Sequence, residues 1–329
     1  MAIFQLLDCS PPVEYIICTR APVAQLDRAF ACGAKGCVFK SRRGHNGRSG
    51  DESAPFLFME THVKKKKQIL LTNDDGIGSP GLRAAAIALS DLGHVTVAAP
   101  NAHFSHFGRG FFRQATGQIH RQEMEVNGQT WEVYAVDGSP SQTTLHALLE
   151  ILPQTPDLVV SGINFGENVS IDVTSSGTVG AAFESASYGI PSISSSVQIL
   201  QEEWDSYDLE VDFSTAAFFT RYFAALVLEK KMPVDLDVLN LTIPFGATPQ
   251  TPWRITRLAR TRYYDPYVKR SGSWEEPAEF SAHRLVPPSL PKDSDIYTSI
   301  VDKIVSVTPL SLDLTSRIDF KELDDFFRK

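Results

Sequence analysis

The sequence predicts a doubly wound α/β fold: a mostly parallel sheet with helices on both faces, in three αβα layers, followed by a β-rich C-terminal extension. Three observations carry this reading. From residue 68 onward, short apolar runs alternate with helical segments. Several of the runs are apolar throughout rather than at every second residue, as strands buried on both faces must be. The helical segments between strands are 10 to 18 residues long, which suits right-handed βαβ crossovers and a parallel sheet.

The elements follow in order. "QILLT" is a short apolar run that ends in a turn cluster and reads as the first strand. Pro80-Gly81 opens a helix with Leu82, Ala85, Ala86 and Leu89 on one face and Gly93 beyond its end. "HVTVAAP" is the next strand. In "GQIHRQEMEVNGQTWEVYAV", Asn127-Gly128 between alternating segments marks a β-hairpin. "SPSQTTLHALLEIL" is a helix, "PDLVVSGIN" a strand, "SSGTVGAAFESASYG" a helix and "IPSISSS" a short strand. "FSTAAFFTRYFAALVLEK" is a longer helix and "DVLNLTIP" a further strand. After residue 250 the pattern changes to basic, aromatic and proline-rich stretches. There "DIYTSIVDKIVSVTPLSLDLT" alternates like strand, so residues 250–329 read as β-ribbon and irregular segments appended to the sheet.

Composition narrows the function. The chain has 329 residues, 43% of them hydrophobic, and a net charge of -8. Residues 1–58 hold seven Lys/Arg and five Asp/Glu, which leaves 24 against 34 in the body. A body this acidic excludes tight sequence-independent binding to duplex nucleic acid, which needs a basic face. The lysine run 64–67 reads as the solvated start of the first strand rather than a nucleic-acid patch. No apolar stretch is long enough to span a membrane and the first residues lack a secretory pattern, so the expected location is cytoplasmic.

All four cysteines, Cys9, Cys18, Cys32 and Cys37, fall in the first 37 residues at spacings of 9, 14 and 5, which match no zinc-binding pair. Residues 1–66 read as a leader, either disordered or the product of a start assigned too far upstream. The stretch "APVAQLDRAFACGAKGCVFKSRRGH" resembles peptides that arise when a bacterial structural-RNA gene is translated by mistake. On that reading the chain starts at Met59, and residues 67–329 form the functional domain.

Ligands of open parallel sheets bind beyond the carboxyl ends of the strands, which makes strand ends the shortlist. The first strand ends in Asn73-Asp74-Asp75-Gly76. Adjacent carboxylates diverge on an extended backbone and can converge on one ion only where the chain turns, as Gly76 permits. Taken alone, the tetrapeptide reads as a helix cap or Asx-turn. The second strand leads into "NAHFSHFGRG", where Ser105 offers a neutral oxygen beside His103 and His106. The strand "DLVVSG" runs into Asn164 and Asn168, and Ser176-Gly177-Thr178 opens a helix whose free N–H groups suit a phosphate. Together these point to phosphoryl chemistry assisted by a hard divalent cation, Mg2+ or Mn2+. A P-loop and a Gly-x-Ser-x-Gly elbow are both absent from the sequence, against a P-loop NTPase and an α/β-hydrolase.

The motifs "ILLTNDDGIGSPGL", "VTVAAPNAHFSHFG", "VDGSPSQT", "VVSGINFGEN", "SSGTVGAAFE", "GIPSISSS", "LNLTIP" and "VSVTPLSLDLT" stand in the order of the survival protein SurE family, which this chain resembles from about Gln68 to Thr315. The resemblance implies a Rossmann-like core and a metal-dependent 5'/3'-nucleotidase that cleaves nucleoside monophosphates with metal-activated water. It implies that Asp74, Asp75, Ser105 and Asn164 ligate one divalent ion. It further implies that Asn168, Ser176, Gly177 and Thr178 line the phosphate, that Asn73 lies beside the metal pair, and that Asp74 is the general base. It implies a homodimer or homotetramer built through the C-terminal extension. The sequence departs from the family pattern at Gln142, Ser170, Ser175 and Thr242, and in the bulky His106-Phe107 after Ser105. Two other readings are a haloacid-dehalogenase-like phosphatase with an aspartyl nucleophile, which needs a D-x-D spacing that adjacent aspartates lack, and a non-catalytic nucleotide- or phosphate-binding module.

Overall fold

In the computed structural model, residues 66–200 and 211–328 are described. Residues 1–65 of the leader, and with them the proposed start at Met59, lie outside them. Nine strands form one sheet in the order β3-β4-β2-β1-β5-β6-β7-β11-β8. These are β1 (Gln68–Thr72), β2 (His94–Pro100), β3 (Ile119–Val126), β4 (Gln129–Val136), β5 (Leu158–Phe165), β6 (Ser192–Val197), β7 (Val238–Ile243), β8 (Trp253–Ile255) and β11 (Val305–Leu310). All pairs are parallel except the β3–β4 hairpin and the β7–β11 contact. The doubly wound sheet expected from the alternation is present. Antiparallel β11 and a separate two-stranded ribbon, β9 (Tyr264–Arg270) with β10 (Ala278–Arg284), form the β-rich extension.

β1 shows why an uninterrupted apolar run was needed. Ile69 and Leu71 face a core shared with α1 (Pro80–Leu89) and α4 (Ser214–Glu229), which pack on each other. Leu70 points the other way, into a core with Ala98, Ala147, Leu152 and Val159. That opposite face carries α2 (Pro140–His146) and α3 (Gly177–Ala186). Both faces of the strand are therefore dry.

Local chemistry sets the boundaries. Ser79 caps α1 with Pro80 in its first turn, and Ser139 with Gln142 forms a reciprocal capping box on α2. Gln142, one of the departures, thus caps a helix, and its Oε1 also accepts the N–H of Phe112 at 2.9 Å. Asn127 and Gly128, at φ 51° and 72°, make the tight turn between β3 and β4.

Two parts of the extension differ from the sequence reading. Tyr297–Val301, expected as strand, forms a π-helical turn, and only Val305–Leu310 is extended. The buried Asp295 explains this. Its Oδ1 accepts the N–H groups of Ala259 and Ile296 at 2.9 and 2.8 Å, and its carbonyl accepts the Ser299 hydroxyl at 2.7 Å, which winds the chain where alternation alone suggested extension. Phe320–Arg328 forms α5, which the reading left without a helix. Asp319 Oδ1 caps it by accepting the N–H groups of Lys321 and Glu322 at 2.8 and 3.2 Å.

Leu70 is fully buried. Leu70→Ala is expected to cost about 2–5 kcal/mol, read as a lowered urea midpoint with an unchanged slope.

Candidate active site

The site lies where the sheet rule places it, at the carboxyl ends of β1, β2 and β5. β1 stops at a turn closed by its own side chain: Asn73 Oδ1 accepts the Gly76 N–H at 3.2 Å, and its Nδ2 donates to the Gly76 carbonyl at 3.1 Å. Gly76 adopts φ 98°, which a residue with a Cβ resists. Asn73 is fully buried, so it shapes the loop.

That turn presents Asp74 and Asp75 to different surroundings. Asp74 Oδ1 accepts the Thr178 hydroxyl at 2.6 Å. The start of α3 lies so close that a Cβ on Gly177 would stand 2.7 Å from the Asp74 Cβ. Glycine is required there by contact with the carboxylate. Asp75 Oδ2 accepts the Phe165 N–H at 3.1 Å. Its buried Oδ1 has no hydrogen-bond partner among the described residues, and His103 Nε2 stands 3.6 Å from it.

Burial pushes the Asp74 carboxyl up to about 6, against the lowering effect of the Thr178 hydrogen bonds. Burial also raises the Asp75 carboxyl well above its ordinary value, with the charge of Asp74 adding to it. Burial lowers the His103 imidazole, and the nearby His106 lowers it again, so this ring favours its neutral form.

β5 bends at its end. Its register with β6 shifts between Ser161 and Asn164, and a Cβ on Gly162, at φ 129°, would stand 2.3 Å from the Ser195 carbonyl. Asn164 Nδ2 donates to the Gly166 carbonyl at 2.6 Å, which commits its nitrogen and leaves the amide oxygen as the end that can meet a cation. Asn168 is held from three sides. Its N–H donates to Ser196 Oγ at 3.2 Å, its Nδ2 donates to Thr178 Oγ1 at 3.3 Å, and its carbonyl accepts Asn240 Nδ2 at 2.9 Å and the Thr242 hydroxyl at 3.2 Å. Thr242, another departure, therefore supports the loop directly.

The loop after β2, which carries His103, Ser105 and His106, is latched onto the sheet. The Phe104 N–H donates to the Asp74 carbonyl at 2.9 Å, and the Gly108 N–H to the Ser175 carbonyl at 2.8 Å. Arg109 Nε lies 2.6 Å from Oε2 of the buried Glu184 in α3. A Cβ on Gly180 would sit 2.2 Å from the Gly108 carbonyl oxygen, so loop and helix touch backbone to backbone.

Asp74, Ser105, Asn164, Asn168 and Ser176 all line one polar cavity of about 70 Å³. Asp75 lines a neighbouring space with Ser79 and Asn101, and His103 borders both. Gly177 and Thr178 pack on the Asp74 carboxylate rather than on the cavity wall. Among the described residues, no three His, Cys, Asp or Glu side chains are gathered to hold a metal. Two buried carboxylates, one with an unpartnered oxygen, together with the neutral oxygens of Ser105 and Asn164 nevertheless fit a hard divalent cation.

The sequence reading missed Glu167 and Asp172, whose charges stood in plain view within the loop after β5. Glu167 is buried. It accepts the Tyr263 hydroxyl at 2.7 Å and an Nη2 hydrogen bond from Arg284 at 3.1 Å, with Arg284 Nε 2.8 Å from its other oxygen, close enough for an ion pair. Its carbonyl accepts the Tyr264 hydroxyl at 2.8 Å. Asp172 Oδ2 accepts the N–H groups of Tyr263 and Tyr264 at 2.8 and 3.1 Å. Ser170, the third departure, adopts φ 59° and gives its N–H to Asp295 Oδ2 at 2.6 Å. These contacts tie the β9–β10 ribbon to the site.

Comparison with known proteins places this geometry. The family model described as "Survival protein SurE" matches residues 69–265. A protein of Methanothrix thermoacetophila named 5'-nucleotidase SurE is 38% identical over 265 residues, 79% of this chain and 98% of that protein. One of the same name from Thermococcus gammatolerans is 41% identical over 256 residues, covering 78% of this chain and 94% of that one. The crystal structure of the SurE protein from Aquifex aeolicus superimposes with a TM-score of 0.62 at 29% identity, across 80% of this chain and all of that one.

Two outcomes test the acid pair. The Asp74 carboxyl is pushed up to about 6 in the fold from an ordinary 3.8, so between those values the metal-free folded state binds more protons than the unfolded chain. Asp74 therefore costs stability above about pH 6 and nothing below about pH 4. Asp74→Asn is expected to melt a few degrees higher than the parent in EDTA at pH 7.5, the gap closing as pH falls to 4, as read by thermal unfolding. Gly177→Ala is expected to weaken divalent-ion binding at least tenfold by pushing Asp74 aside, measured by calorimetric titration with Mn2+.

Proposed function

Because the chain belongs to the survival protein SurE family, we propose that residues 67–329 hydrolyse nucleoside 5'- and 3'-monophosphates to nucleoside and inorganic phosphate. One observation carries this reading: the polar cavity of about 70 Å³ opens into a cleft of about 600 Å³, and both share His106, Asp172, Ser175 and Tyr264 as walls. The small cavity suits a phosphate, and the large one suits an organic leaving group. The cleft is several times larger than the cavity and holds the ester's other side loosely, which supports attack at either ribose position.

Asp74, Asp75, Ser105 and Asn164 hold one divalent ion per subunit, Mg2+ or Mn2+. Bound there, such an ion would offset the acid pair's charge and would supply Lewis-acid polarisation of a phosphate oxygen and of water. Asp74, the carboxylate that lines the cavity, takes the water's proton, and the Thr178 hydroxyl keeps it oriented. Asn168 and Ser176 meet the phosphate oxygens near the positive end of α3. Asn73 holds the acid pair in its turn, and Gly177 with Thr178 allows the helix to close on Asp74.

The exposed apolar side chains of α5, Phe320, Phe326 and Phe327, support association into a homodimer or homotetramer through residues 250–329. Among the described residues no helix is long and apolar enough to cross a membrane, and we place the enzyme in the cytoplasm. Residues 1–58 are dispensable on this reading, with synthesis starting at Met59.

The purified full chain is expected to release phosphate from AMP and GMP with Mn2+ and to stop in EDTA. Asp75→Asn is expected to lower kcat/KM by about 100-fold or more. A chain starting at Met59 is expected to match the full chain. No metal-dependent release from any nucleotide would overturn the reading.

A further inference from the structure

The β9–β10 ribbon lies outside the main sheet and has two unlike faces. Strand alternation and the register put Pro266, Val268, Phe280 and Ala282 on one side, with Pro266 opposite Ala282 and Val268 opposite Phe280, between the end pairs Tyr264–Arg284 and Arg270–Ala278. Asp265, Tyr267, Ser281 and His283 occupy the other side, where Tyr267 and His283 stack 4.4 Å apart. An apolar ribbon face ordinarily turns toward a core. Here three of its residues, Pro266, Phe280 and Ala282, line the 600 Å³ cleft, and Phe280 keeps 77% of its surface exposed.

The cleft's other rings are Tyr264, His103, His106 and Phe165. Tyr264 and His106 meet edge to face at a centroid distance of 6.4 Å. The Tyr264 hydroxyl is already given to the Glu167 carbonyl. The cleft therefore offers apolar and aromatic surface beside a phosphate-sized cavity, with Ser105, Asp172, Ser175, Arg262 and Ser281 also in its lining.

We infer that the apolar face of the β9–β10 ribbon, with Phe280 near its middle and Tyr264 at its end, is the surface on which the nucleobase stacks. This rests on the nucleotidase reading and specifies how that site takes its leaving group. Stacking uses the π-face common to all bases, so this surface holds purines and pyrimidines alike by ring area. Glu167 and Arg284 act as positioning residues: the ion pair joins the ribbon that holds the base to the loop that holds the phosphate.

Phe280 is exposed and lies outside the catalytic machinery, so Phe280→Ala tests the inference without unfolding the chain. In calorimetric titrations of the full chain, adenosine and guanosine are both expected to bind about 5- to 100-fold more weakly to Phe280→Ala, by a similar factor for each. Affinity for inorganic phosphate and the melting temperature are expected to stay unchanged. With AMP as substrate, KM is expected to rise and kcat to hold, whereas glycerol phosphate, which has no ring, is expected to show no change. Nucleoside affinity unchanged by Phe280→Ala overturns the inference, and a simultaneous change of sedimentation coefficient would assign the face to contact between copies of the chain. Because nucleoside binding needs no turnover, wild-type protein that binds adenosine yet hydrolyses nothing would defeat the nucleotidase reading alone.

Discussion

Two neighbouring carboxylates that are both stripped of water repel each other, and holding them at the end of a buried strand is the constraint to which the rest of the catalytic face answers. The Asn73 turn fixes their backbone, and Thr178 and Phe165 each supply one donor. Gly177 lets a helix start arrive where any side chain would collide. Arg109 and Glu184 keep the β2 loop in place above them. None of these devices neutralises the pair, and that remaining charge defines what the site can hold.

The core layer was legible from the sequence because its causes are local. QILLT had to be dry on both sides, Ser-Pro pairs had to start helices, and Asn-Gly had to turn a hairpin. The strand ends were legible as a shortlist for the same reason. What could not be read was which way each polar group turns. Thr178 lay in a phosphate-binding pattern, yet its hydroxyl serves Asp74, and Asn73 serves its own turn. The π-helical turn at Tyr297–Val301 depends on Asp295 reaching residues some thirty-six positions away, a contact that no local periodicity encodes.

The extension is not a passive appendage. Asp172 and Glu167 of the loop after β5 accept hydrogen bonds from Tyr263, and the extension's own Asp295 accepts the Ser170 N–H of that loop. Burial raises Glu167 and Asp295 above the usual carboxylate range, while Arg284 opposes that rise at Glu167. A buried pair of this kind contributes little net stability and more in fixing one arrangement over its alternatives. Its value here is geometric, since it couples the ribbon to the loop after β5.

The same economy appears in the support beneath Asn168. Ser196 receives its N–H, Ser194 holds Asn240, and Asn240 with Thr242 reaches its carbonyl, so β6 and β7 carry a line of hydroxyls and amides through an otherwise dry interior. An all-aliphatic version of these strands would suit a sheet core better and fold without that polar seam. It would also leave the loop after β5 unmoored. Natural variation and engineering toward heat resistance therefore meet a trade-off in this seam, where residues poorly chosen for stability are retained for the job the neighbouring loop performs.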